Sequence, residues 1–401
     1  MDSIHQRLNL LEIRADSLEK SLQDSRERMV THSQFENILR HINEDDQEFT
    51  DQGRRSKRRA LDSLFKAAVS RPKQLTFTGQ FLNVLHWDGN FKDSKNSMVG
   101  IVDLFAISSF GKRSLVFINL QGVGGDGPDV FFPNYSGFHA GAGSTQSADG
   151  LDRINILEAW VEYTIQNTSF TMGKIDLTNY YDPNSIANDE YSQFLSSAFV
   201  NNTALAAPGN GPGISMNTEI LNNFTFQVGV ASNDNSGDEI FRELFAIAQL
   251  TESFKINNDE KGAIRIYGYR NTAIVNGWGY GVSGDIKFAK KIYSYARFGQ
   301  NLDSLAGNFG IKRSWSGGVQ LRNYRFVKSS TISAGLAFGK TEGFSNAEET
   351  FDFSEEMLEV YLRLNIKQAF FVSPHFQAIW DGLGQSGEHI MLLGLRTRVA
   401  F

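Results

Sequence analysis

The chain has 401 residues and no cysteine, which excludes disulfides, thiolate metal sites and a cysteine nucleophile, and its net charge of −6 argues against a general nucleic-acid binder. No apolar run approaches the ~18 residues of a membrane-spanning helix. Yet 37 glycines and 32 phenylalanines stand against only 7 prolines, at a mean hydropathy of −0.30. That combination fits strands with one greasy and one polar face, as in a membrane β-barrel; a large soluble all-β protein is the alternative.

Residues 1–50 read as helix. Ile4, Leu8, Leu11, Ala15, Leu18 and Leu22 alternate steps of four and three, a coiled-coil seam, with Arg7, Glu12, Arg14, Asp16, Glu19 and Lys20 between them. The phase slips near Ser25 and His32 and recovers at Phe35, Ile38, Leu39 and Ile42. One such helix cannot bury its own seam, so the segment predicts a self-associating stalk. Residues 51–72 carry the basic run Arg54-Arg55-Ser56-Lys57-Arg58-Arg59, a solvated linker or a surface for anionic lipid or cell-wall polymer. Leu61, Leu64, Phe65, Ala68 and Val69 then mark one face of a short amphipathic helix that Pro72 ends. Polar heptads follow Met1 where an apolar leader would stand, so a barrel predicts that a leader has been removed.

From 73 to 401 the period is two. Val360, Leu362, Leu364 and Ile366 alternate with Glu359, Tyr361, Arg363, Asn365 and Lys367, and Phe224, Phe226, Val228 and Val230 with Thr225, Gln227 and Gly229. About sixteen segments of this kind predict an all-β antiparallel transmembrane barrel, the weakest being the sixth, near Ile214–Glu219. Short links near Gly111, Asn167, Asn222, Lys290, Phe326 and Gln368 alternate with long ones at Asp88–Ser97, Gly122–Asp152, Asp176–Gly213, Asn233–Phe241, Asn301–Gly310, Gly339–Glu355 and Asp381–Glu388. One periplasmic and one outer rim produce that alternation. In the last segment Met391, Leu393, Leu395, Val399 and Phe401 share one face, with Arg396 and Arg398 on the other. An aromatic C-terminus closing an amphipathic strand resembles the assembly signal of outer-membrane barrels, so Phe401 is expected to face lipid at the periplasmic rim. An even strand count then puts the stalk in the periplasm.

The link after the fifth strand reads Gly173-Lys174-Ile175-Asp176, then Tyr181-Asp182-Pro183-Asn184-Ser185-Ile186-Ala187-Asn188-Asp189-Glu190, then Gln193-Phe194-Leu195-Ser196-Ser197-Ala198-Phe199. It resembles the signature stretch of the carbohydrate-selective, OprB-type outer-membrane porins, and the N-terminal region is similar to the helical stalks of cyanobacterial porin relatives. The resemblance implies that segment 176–213 folds inward as a pore constriction. It also implies passive uptake of sugars or other small solutes, in a chain surrounded by lipid and lipopolysaccharide. The porin habit and the coiled coil together predict a homotrimer.

The residues add their own reading. Asp182, Asn184, Asn188, Asp189, Glu190 and Gln193 are polar groups suited to sugar hydroxyls or hydrated ions, or to hydrogen bonds that hold the loop to the wall. The apolar face places Asp103, Glu158, Glu162, Arg265, Asp285, Arg322, Glu359, Arg363, Arg396 and Arg398 toward the lumen, where opposed charges set selectivity or pair as wall packing. Trp160 shares the face of Glu158 and Glu162 and offers a stacking surface for a sugar. Gly122–Gly127 matches G-x-G-x-x-G but runs into Pro128 rather than a helix, so it is read as an outer loop. His139–Ser144 lacks a third partner for hydrolysis, and Asp234, Asp238 and Glu239 lack the spacing of a calcium loop. No catalysis, cofactor or metal is expected. Inorganic-ion passage, and a tether from membrane to wall through the stalk, remain alternative functions.

Overall fold

The computed structural model describes residues 75–401 apart from 89–94, 111–112, 144–152, 222, 235–236, 257–259, 328–329, 345–353 and 368–369. The coiled-coil stalk, the basic run and the helix at 61–69 lie outside the described residues. Sixteen antiparallel strands form one closed barrel in sequence order: β1 (Thr76–Asp88), β2 (Asn96–Ser109), β3 (Ser114–Gly124), β4 (Ile154–Ile165), β5 (Thr168–Ile175), β6 (Gly211–Leu221), β7 (Phe224–Ser232) and β8 (Leu244–Lys255) make the first half. The second half is β9 (Lys261–Asn271), β10 (Trp278–Ala289), β11 (Ile292–Asn301), β12 (Ile311–Val327), β13 (Ser330–Gly343), β14 (Ser354–Lys367), β15 (Phe370–Trp380) and β16 (His389–Ala400). The faint sixth segment is a full strand, Gly211–Leu221, paired on both sides. Several boundaries move by a few residues: β3 runs on through Gly124 and β13 through Gly343, which shortens the links placed at Gly122 and Gly339, β6 starts at Gly211, and β8 starts at Leu244.

Closure leaves no sheet edge, so every strand finds backbone partners on both sides, as a hydrocarbon solvent demands. The seam is β1 on β16, from Gln80 opposite Ala400 to Asp88 opposite Leu392. Phe401 extends it by exchanging backbone bonds with Gly79 at 2.8 and 2.9 Å. A side chain on Gly79 would collide with the Phe401 ring, so this glycine makes room for the terminal aromatic. Phe401 is half exposed on the outer face, with Leu393 and Val399 of the same strand.

The alternation of faces follows the period read from the sequence. Outward residues such as Val360, Leu362 and Ile366 are exposed, whereas Glu359, Tyr361 and Arg363 are buried inside the barrel. Loop segments occupy part of the interior. Two loops enter it: L2, described over 125–143 between β3 and β4, and L3, residues 176–210 between β5 and β6. L3 carries a four-residue helix, α1 (Ser197–Val200), and packs Ile186, Phe194 and Phe199 against the wall residues Tyr295, Met357 and Tyr361.

Candidate functional site

Local chemistry turns L3 inward. Gly173 sits in β5 at φ +144°, and a Cβ there would run into the Ala159 carbonyl of β4, so this position demands glycine. Asp176 ends the strand by accepting from the Thr178 amide at 3.0 Å and its hydroxyl at 2.6 Å. Glu158 of β4 receives the Asp176 amide at 3.3 Å and the Asn179 side chain at 3.1 Å, which ties the loop's entry to the wall. Asp182 then takes a left-handed φ of 56° and redirects the chain across the lumen.

The six residues expected at the constriction all lie in this inward loop, and each makes at least one polar contact with protein, although Asn184 Nδ2 is buried without a hydrogen-bond partner. The Asp182 carboxylate lies 2.9 Å from Arg297, and its amide donates to Gln249 at 2.7 Å. Asn184 accepts from the Ile186 amide at 3.0 Å. The Asn188 amide donates to Gln193, whose own amide group donates to the Ser185 carbonyl. Asp189 accepts from the Tyr191 amide and the Ser192 hydroxyl, and the Glu190 carbonyl accepts from Arg396 at 2.8 Å. Asp182, Asn184, Asn188, Glu190 and Gln193 are each no more than 4 % exposed. In this conformation they hold the loop to the wall and to itself.

The charged residues read as lumen-facing are buried in the barrel. Asp103 accepts from Gln80 and Gln121, Glu162 from the Thr171 hydroxyl, and Arg398 donates to Gln80. Arg265 pairs with Asp285 at 2.5 Å. Arg322 donates to Gln320 and to the Ser185 carbonyl, with its guanidinium 4.4 Å from the Tyr293 ring. Arg363 donates to the Ser192 carbonyl at 2.6 Å, and Glu359 accepts from the Leu195 and Ser196 amides at 2.7 and 2.9 Å. Asp103, Glu158 and Glu162 occupy the β2–β4 arc of the wall, and Arg322, Arg363, Arg396 and Arg398 the β12–β16 arc. Trp160 also faces inward but is 4 % exposed, its ring 5.0 Å from Phe117 within an apolar cluster. The expected sugar-stacking surface is therefore covered, because L3 brings Leu177 and Tyr181 over that part of the wall.

Sequence reading missed Arg297, the group with the most loop contacts. Besides Asp182, it donates to the carbonyls of Phe199 at 2.6 Å, Asp182 at 3.0 Å and Val200 at 3.4 Å, and to the Asn188 side chain at 3.2 Å. A planar fork of donors suits this many fixed acceptors. Strand β11 conceals it because Tyr293 and Tyr295 share its inward face, which erases the polar–apolar contrast that marked the other arginines.

Sequence reading also missed a histidine cluster beneath L2. His86 of β1 and His375 of β15 both stand opposite Gly394 of β16, and His375 fills the space that a side chain at 394 would take. Their ring centres are 5.0 Å apart, and His139 of L2 lies 6.3 Å from His86. The three lie far apart along the chain, and closure of β1 onto β16 brings His86 and His375 together. L2 is otherwise held by Glu355, which accepts from the Tyr135 and Ser136 amides, by Gln377, which donates to the Phe138 carbonyl, and by backbone bonds to L3 such as Ala140 to Leu195 at 2.9 Å.

A high-pH structure of OprB from Pseudomonas putida matches this barrel with a TM-score of 0.67 at 12% identity, over 85% of this chain and 96% of that one. The fold is porin-like. The outer-membrane channel DcaP of Acinetobacter baumannii matches with a TM-score of 0.50 at 11% identity, over 82% of this chain and 97% of that one. At these identities the shared property is the fold. No family model matches the sequence. An uncharacterized protein of Aquifex aeolicus (strain VF5) is 27% identical over 220 residues, 55% of this chain and 64% of that protein, so the match spans just under two thirds of the relative.

Proposed function

We propose that this porin-like barrel is an outer-membrane channel for passive diffusion of small hydrophilic solutes, carbohydrates foremost, with L3 as its constriction. The observation that carries the reading is L3 itself, a loop of 35 residues laid across the inside of a barrel whose outer face is apolar. A structural barrel has no need of a polar loop spanning two charged arcs. L2 and L3 occupy part of the interior, and passage requires them to ease away from the wall, exposing Asn184, Asn188 and Gln193 to solute. Neutral amides that exchange loop bonds for hydroxyls suit sugars, and the arcs orient the solute's dipole. The first and last strands of the barrel start and end at the periplasmic rim, lipid and lipopolysaccharide surround the barrel, and the protein assembles as a homotrimer.

Planar-bilayer current and swelling of liposomes in sugars of rising size test this. Current that falls as sugar is added, with size-limited swelling, is the expected result. Absence of both current and swelling for correctly folded protein would sink the channel reading; current indifferent to concentrated sugar would remove only the carbohydrate part. The arginines on β12–β16 favour a second reading, an anion channel, which a reversal potential in a salt gradient would reveal. A monomer by native mass measurement in detergent would refute the trimer.

A further inference from the structure

The cluster of His86, His375 and His139 joins L2 to the wall through three imidazole rings. Neither nitrogen of His86 or His375 has a hydrogen-bond partner, nor does Nε2 of His139, although all three rings are buried. Nδ1 of His139 accepts the Gly141 amide at 3.1 Å, a bond that folds the tip of L2. An imidazolium has no acceptor nitrogen, so a proton on Nδ1 would set donor against donor and break that bond. Burial also disfavours a charge on His139. From β16 the Arg396 guanidinium faces the cluster, and from β15 Gln377. The carboxylate of Glu359 on β14 is taken by Leu195, Ser196 and Gln377, and that of Asp129 in L2 by Phe138 and Asn134. Glu190 of L3 is the remaining carboxylate nearby, beside Gly141.

We infer that these three histidines form a proton-binding site that releases L2, and with it L3, from the lumen as the pH falls. Resting on the channel reading above, this makes the pore acid-opened. The sign follows from linkage. Burial, with His86 and Arg396 adding repulsion, holds His139 down to about 3, whereas an imidazole in water titrates near ~6.5. Protons therefore bind the released loop better than the closed one throughout the window between those values. His139 alone shifts the ratio of open to closed about tenfold for each pH unit below ~6.5, and each further imidazole freed with it multiplies the effect. Burial also raises the pKa of Asp129, so a control must separate its protonation from that of the histidines.

A readout independent of current serves the test. The chain lacks cysteine, so Ser136→Cys, buried in L2, reports loop release by its rate of maleimide labelling. The rate at pH 5 relative to pH 7.5 is compared between the full chain and one also carrying H86Q, H139Q and H375Q, with EDTA present so that no metal occupies the rings. The relative rate is expected to be at least tenfold higher with the histidines; equal ratios in the two backgrounds would overturn the site. Open probability in bilayers, measured without the cysteine, repeats the comparison should S136C misfold. A pH-independent open probability in the histidine-containing chain overturns the site likewise. Acid-dependent labelling without any current would retain the proton site and reject the channel.

Discussion

L2 and L3 enter the same barrel and are held there by opposite chemistry. L3 meets groups that match it: the guanidinium of Arg297 with the Asp182 carboxylate, that of Arg363 with a carbonyl, and the Glu359 carboxylate with two amides. L2 meets two matching groups, Glu355 and Gln377, and two wall imidazoles, His86 and His375, whose nitrogens make no hydrogen bond within normal geometry. A buried polar group without a partner costs about 1–3 kcal/mol; such atoms occur at both loops, with Asn184 Nδ2 and Ser185 Oγ in L3, but the charged contacts that offset them are concentrated at L3.

The comparison can be broken most forcefully at L3. Replacing residues 184–201 by a short flexible link should raise unitary conductance several-fold, with the barrel still resisting unfolding in detergent; unchanged conductance would mean the loop does not obstruct the path. Next in size is Arg297→Ala, which buries an uncompensated Asp182 and strips three carbonyls. Breaking such a pair costs about 3–5 kcal/mol, so the variant should stay open at neutral pH, and Arg297→Lys should recover only part of the closure. Glu359→Gln is milder, since the amide still accepts one bond; the loss of a charged acceptor is about 1–3 kcal/mol, read as a higher open probability. Gly79→Ala sharpens the contrast with the seam: crowding Phe401 should lower thermal stability by about 1–3 kcal/mol without changing conductance. The smallest effect belongs to Arg313→Ala. Its pair with Glu342 at 2.5 Å is solvent-exposed, and such pairs contribute about 0.2–1 kcal/mol or less.

Much of the barrel was legible because its solvent imposes a simple rule. An apolar outer face and polar groups inside make each strand alternate, and Val360–Lys367 or Phe224–Val230 carry that period without help from distant residues. Where apolar rings face inward the rule fails, which is why Arg297 behind Tyr293 and Tyr295 went unseen. Trp160 teaches the same lesson in reverse. Its face was read correctly, but the loop that covers it comes from a different stretch of chain.

The sequence alone determines about sixteen strands, the outward face of those that alternate clearly, a long loop after β5 and an amphipathic last strand. These are local properties, set by period two and by the lengths of the links. Only the tertiary structure decided that loop segments occupy part of the lumen, that the candidate constriction residues bond the wall, and that His86, His139 and His375 meet. Those facts depend on closing β1 onto β16, which brings residues hundreds of positions apart into register. No pattern within either segment encodes that meeting.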